Sequence, residues 1–146
     1  MNKTRRSSIV EALVDKLKTI SLENGYATDL GDQAYSRMRF WDEISEFPCI
    51  CAVAGPETIV HQGAGLKDRF MDLILRVYVK EEDSILALER LLEDVESIID
   101  KNGRLAYVDS SGNYGTTRDI IITFIDTDQG ALAPLGVGEM TLQVKY

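Results

Sequence analysis

Apolar residues recur along this chain at two periods, which alternate. From Ser8 to Leu22 the period is helical. Ile9, Leu13, Leu17 and Ile20 fall at steps of four, four and three and make one stripe. Ser8 and Glu11 form the Ser-x-x-Glu pattern of a capping box, and Asn24-Gly25 supplies a stop, since glycine accepts the left-handed conformation cheaply. Tyr26 to Glu46 shows neither period and reads as irregular, with a short strand or turn. Phe47 to Ala54 reads as a strand, with Pro48 near its start, where a missing donor is tolerated. Gly55-Pro56 reads as a break, and Glu57 to Lys67 as a loop carrying Gly63 and Gly65. Asp68 to Lys80 is the longest strand pattern. Met71, Leu73, Leu75, Val77 and Val79 share one face, while Asp72, Arg76 and Lys80 take the other.

A second helix begins after Asp83 or Ser84, with Ile85, Leu88, Leu92, Val95 and Ile99 as its stripe and Asn102-Gly103 as its end. Strand patterns follow at Arg104–Val108, Arg118–Ile125 and Gly138–Tyr146, separated by loops at Asp109–Thr117 and Thr127–Val137. Two apolar stripes and several short strands are satisfied together by an α+β fold: an antiparallel or mixed sheet of about four to five strands, with two main helices on one face. The gaps between strands suit hairpins and favour antiparallel pairing.

With 146 residues the chain reads as a single domain, 1–146. A domain of this size buries roughly 68–70% of its unfolded surface and folds without staples. The formal charge is −8, which argues against a nucleic-acid grip built from clustered Lys and Arg. Cys49 and Cys51 lie two apart on a strand and so on one face. A bond between them would strain disulfide geometry, and they read as free, buried thiols of a reducing compartment. No apolar run approaches the roughly 20 residues of a membrane span. The basic start at Lys3, Arg5 and Arg6 is not followed by the apolar core of a signal peptide.

Few residues suggest chemistry. Asp126 and Asp128 form an Asp-x-Asp at a strand end, a pair able to hold a hard cation or to do acid–base work. Nothing adjacent completes such a site, and Asp is also a common turn residue. His61 is the sole histidine; with Ser110 and Ser111 it lacks the base, orienter and Gly-x-Ser-x-Gly context of a hydrolase. Gly63-Ala64-Gly65 lacks phosphate-cradle spacing and reads as a hairpin loop. Arg37 to Trp41 mixes cations with aromatics, as single-strand binders do, but a Trp packed under arginine stems explains it as well. More telling is Ala131 to Val137, an apolar run in a loop, where water-facing chain is usually polar; such a loop is either tucked on its own core or waiting for a partner. Glu57 to Leu66, with Ile59 and Val60, is a second protruding segment of this kind.

The order of elements and loops resembles the tail terminator (tail completion) proteins of long-tailed bacteriophages. The residues that carry the likeness are Asn24-Gly25-Tyr26-Ala27-Thr28-Asp29 and Pro48 at the opening of a strand. With them go the alternating strand Leu73–Val79, the helix Leu88–Asp100, and Asp126–Tyr146 with its glycine-rich joint. The likeness runs from Ile9 to Tyr146. It implies a small α/β fold without catalytic residues or cofactor, placed in the virion tail and assembled in the host cytoplasm. It implies a homo-hexameric ring that caps the tail tube, ends its polymerisation and forms the tail side of the head–tail joint. The partners implied are further copies of the chain, the tail tube protein and a head-completion or neck protein. DNA would pass through an acidic ring without specific binding, and no membrane is involved.

A ring closed by head-to-tail contacts needs two different surfaces on each copy. Ile59, Val60 and Leu66 are expected to supply one, and Leu132, Pro134, Leu135 and Val137 the other. Two other readings stay open: a neck or head-completion connector, and a cytoplasmic small-ligand or metal-dependent domain using Asp126 and Asp128.

Overall fold

The computed structural model describes residues 3–146. Helix α1 spans Arg5–Leu17 and α2 spans Ser84–Lys101. Seven strands follow the order β1 Ala34–Tyr35, β2 Cys49–Gly63, β3 Leu66–Lys80, β4 Ala106–Val108, β5 Tyr114–Thr116, β6 Asp119–Thr127 and β7 Leu135–Lys145. The main sheet has the order β1-β2-β3-β7-β6, and β4 pairs with β5 in a small separate hairpin. Only β1 runs parallel to its neighbour, so the sheet is mixed and otherwise antiparallel. No helix among the described residues is long and apolar enough to cross a membrane.

The α+β expectation holds, and both helices pack on one face of the sheet. Met71, Leu73, Leu75, Val77 and Val79 of β3 are all 3% exposed or less. They meet Ile9, Leu13 and Leu17 of α1, and Leu88, Leu92, Val95 and Ile99 of α2, in one core. Leu91 and Ile98 join that core, whereas Ile85, expected in the stripe, is exposed in the first turn of α2. Each large aliphatic residue buried there contributes about 1.5–3 kcal/mol.

Helix α1 is shifted from the expected Ser8–Leu22. Thr4, not Ser8, is the N-cap: its hydroxyl accepts from the Ser7 amide and the Ser7 hydroxyl accepts from the Thr4 amide. Ser8 is buried inside the helix, and its hydroxyl donates to the Thr4 carbonyl at 2.8 Å. The helix ends at Leu17, well before Asn24-Gly25. Downstream, the Ile20 carbonyl accepts from the Gly31 amide at 2.9 Å. A tertiary partner for the backbone thus replaces another helical turn, while Ile20 still enters the core fully buried.

Strand β2 does not stop at Gly55-Pro56. Ala54 pairs with Leu73 and Glu57 with Met71, so the two residues are absorbed in a β-bulge. The segment expected as a loop, Glu57–Lys67, is instead paired hairpin. Strand β7 meets β3 only from Phe70 onward. The hairpin of Glu57–Gly63 and Leu66–Arg69 therefore extends past the sheet as an arm, closed by a turn with Gly63, Ala64 and Gly65 all at positive φ. The loop expected at Asp109–Thr117 likewise contains β5, whose Gly115 lies opposite Tyr107.

The sheet face away from the helices is only partly covered. After a 3-10 turn at Leu30–Gln33 and the short β1, residues 35–47 fold across part of that face through a second 3-10 turn, Trp41–Glu43, as the irregular reading of Tyr26–Glu46 anticipated. Ile44 seals Cys49, Cys51 and Tyr78 in a second small core, and both cysteines are free and buried. Trp41 is not packed beneath arginine stems. It is 61% exposed, and Arg39 stacks on Tyr35 instead.

Candidate interaction surfaces

The two apolar segments singled out in the sequence lie at opposite ends of β3. At the C-terminal end of that strand, Leu132, Leu135 and Val137 line a groove of about 160 Å³ with Trp41, Phe47 and Tyr78. Leu135 and Val137 belong to β7 and are half-buried, so the expected apolar loop shrinks to the turn before Leu135. Leu132 is 51% exposed, and Pro134 is exposed beside it. Trp41 and Phe47 come from the segment that crosses the back face. Sequence reasoning missed them as groove residues because they stand about 90 positions away from Leu132 in the chain.

Asp128 builds the turn that presents Leu132. Its carboxylate accepts from the Leu132 amide at 3.1 Å and the Val137 amide at 3.4 Å, while Asp126 accepts from the Thr127 amide. Both carboxylates of the Asp-x-Asp pair are thus engaged with local backbone, as Asp in turns commonly is. No group of three or more His, Cys, Asp or Glu residues suited to a metal occurs among the described residues. Gly136 and Gly138 on β7 permit the close approach of α2. A Cβ at Gly136 would stand 3.3 Å from Ser84 Cβ at the start of α2 and 2.7 Å from Val79 Cγ2 on β3, and one at Gly138 would stand 3.1 Å from Leu88 Cδ1 of α2.

At the other end of β3 is the arm. Val60 pairs with Asp68 and Ile59 with Arg69, so neighbouring apolar residues face opposite sides of the hairpin. Ile59 and Val60 are about 40% exposed and Leu66, at the tip, 66%. The root of the arm is tied to the body at Glu57, whose side chain is 8% exposed. Its carboxylate accepts from Arg69 Nη1 at 2.9 Å and from the Tyr146 hydroxyl, with Arg6 Nε at 3.7 Å. Arg6 also donates to the Gly55 carbonyl in the bulge.

His61 sits on the arm opposite Lys67, and Ser110 and Ser111 lie in the β4–β5 turn organised by Asp109. No hydrogen bond joins them among the described residues. A third apolar surface was not singled out in the sequence. Strand β6 is an edge strand on which Ile121, Phe124 and Ile125 are all more than 40% exposed. The signal was present: Ile120 to Ile125 is apolar on both faces, a pattern of strands covered on two sides.

The Asn24–Asp29 loop is held by helix α2. Asp94, buried, accepts from the Ala27 amide at 3.2 Å and the Thr28 hydroxyl at 2.7 Å. Thus the motif met early in the sequence serves to fasten the connection between α1 and the sheet.

Comparison with known proteins agrees with this architecture. Residues 3–146 match the family model described as bacteriophage tail tube terminator protein. The chain is 34% identical to tail tube terminator protein p142 of Escherichia phage T5, over 97% of this chain and 92% of that one. In fold it is similar to a chain from the virion of a native gene transfer agent particle. There the TM-score is 0.60 at 10% identity, covering 94% of this chain and 93% of that one. The family match over nearly the whole length, together with the identity to the T5 protein, places this chain in the bacteriophage tail tube terminator family, as a structural component of the virion tail.

Proposed function

We propose that this protein caps the tail tube, ends its polymerisation and forms the tail side of the head–tail joint as a ring of six copies. One face of the ring meets the last layer of tail tube protein and the other a head-completion or neck protein. The observation that carries this reading is the pair of dissimilar apolar surfaces at the two ends of β3, on a chain whose relative is a tail tube terminator. Dissimilar surfaces suit a head-to-tail contact, and such contacts close into rings when the rotation between copies permits. The net charge of −8 on each copy supports a lumen through which DNA slides without adhering. The functional work is then assembly, and catalysis has no part in it.

Cryo-electron microscopy of the head–tail joint in intact virions tests the reading. Six copies of this chain in one layer on the final tube ring are expected. A single copy, another copy number, or a position at the distal tip would contradict it.

A further inference from the structure

We propose that the arm of one copy inserts its tip into the apolar groove of the next copy, with Leu66 as the side chain that fills it. This inference rests on the ring reading and specifies the contact that builds the ring. Three observations point to it.

The first is position. Leu66 and Tyr78 lie on the same strand about 40 Å apart, at roughly 3.3 Å per residue. The tip therefore cannot reach its own groove, so a tip that fills such a groove fills that of another copy. The second is size and chemistry. A cavity of about 150 Å³ with apolar walls takes up a six-carbon ring. A groove of about 160 Å³ lined by Trp41, Phe47, Tyr78 and Leu132 suits one aliphatic side chain. Leu66 is the most exposed large aliphatic residue among the described residues, at 66%.

The third is charge. On the arm and beside its root stand Lys67, Arg69, Arg118 and Lys145. Arg69 and Arg118 pair with Glu57 and Asp68, which leaves Lys67 and Lys145 without an ion pair among the described residues. Around the groove stand Asp42, Glu43, Glu81, Glu82 and Asp126, all exposed and none in an ion pair among the described residues. On the arm itself Glu57 and Asp68 offset Lys67 and Arg69, so its tip presents the single unpaired Lys67 to a socket whose five carboxylates outnumber the neighbouring Lys80, and that asymmetry steers approach and fixes orientation. The arm is also held rigid at Glu57 before any contact, which lowers the ordering cost of docking.

The test is complementation between two defective chains. One carries Val60→Asp and Leu66→Asp on the arm; the other carries Trp41→Ser and Leu132→Asp at the groove. All four positions are at least 40% exposed, so the fold is expected to survive, and near-ultraviolet circular dichroism checks it. Sedimentation should show oligomers for the native chain and monomers for each variant alone. Their mixture should give a 1:1 dimer, joining the intact arm of one to the intact groove of the other, and no larger species. As a second measurement, Leu66→Cys mixed with Leu132→Cys should cross-link on mild oxidation, whereas neither should do so alone.

If either defective variant assembles like the native chain, or the mixture stays monomeric, the pairing is overturned while the ring reading stands. A native chain that is monomeric at every concentration also overturns the pairing. The six-copy layer in virions then decides the ring reading separately, since a ring built through other surfaces would still show it.

Discussion

Tyr146 ends the described chain with its hydroxyl donated to Glu57 and its ring under the Arg5 guanidinium. Burial, reinforced by the neighbouring carboxylate, pushes its phenol up to about 12 from an ordinary value of 10. Folding therefore favours the protonated form. Its stabilising contribution is complete below pH 10 and is lost as pH rises from 10 through 12. At about 1.36 kcal/mol per pKa unit, the loss across that window is on the order of 2 kcal/mol. Urea unfolding of the native chain and Tyr146→Phe between pH 8 and 12 checks this. The native advantage should shrink above pH 10, and a constant difference would contradict it.

Single residues also show what a sequence conceals. Gly31 reads as an ordinary loop glycine, yet a Cβ there would stand 2.4 Å from the Lys18 carbonyl oxygen. Only the folded chain brings that carbonyl close. Asp94 lies outside the predicted apolar stripe of α2, yet it is buried, where its carboxylate accepts from the Ala27 amide and the Thr28 hydroxyl.

Among the elements, β3 was the most legible. Its alternation of Met71, Leu73, Leu75, Val77 and Val79 depends only on strand geometry and on one buried face. The α1 stripe was equally legible, although its boundaries were not. Ile9 to Ile20 all enter the core, but the end of the helix depends on the distant Gly31 amide. Strand β2 was cut short because Gly55-Pro56 looks like a break. The bulge accommodates both residues, and proline is tolerated where its missing donor lies at a bulge or sheet edge. Strand β5 went unseen because Tyr114-Gly115-Thr116 lies within a Ser, Gly and Asn-rich stretch. The two apolar segments proposed as interfaces were singled out through Leu132, Leu135, Val60 and Leu66. The far wall of the groove was not, since Trp41 and Phe47 reach it by crossing the sheet.

The arm carries its own prediction at this scale. Glu57→Gln removes the charge that gathers Arg6, Arg69 and Tyr146 at the root. Both arginines are part exposed, so the cost is about 1.5 kcal/mol, at the low end for hydrogen bonds to a charged group. Hydrogen exchange of paired amides between residues 57 and 69 should accelerate about tenfold, while β3 amides paired with β7 keep their protection. Unchanged exchange in the arm would show that Glu57 does not hold it.

At the scale of the molecule, the sheet is a spacer that separates two dissimilar surfaces. The arm projects from one end and presents Lys67, which has no ion pair among the described residues. The groove opens at the other, amid unpaired carboxylates. In the proposed arm-to-groove pairing this asymmetry gives a chain of net charge −8 complementary ends. The exposed edge strand β6 adds a third apolar surface. These surfaces suit the assembly role proposed for this member of the tail tube terminator family.

The most direct test is electron microscopy of particles made when this gene is disrupted in its phage. The account predicts tail tubes of uncontrolled, excessive length beside full heads that have not joined them. Tubes of normal length beside unjoined heads would contradict termination and move the protein to the neck, and normal particles would contradict the account altogether.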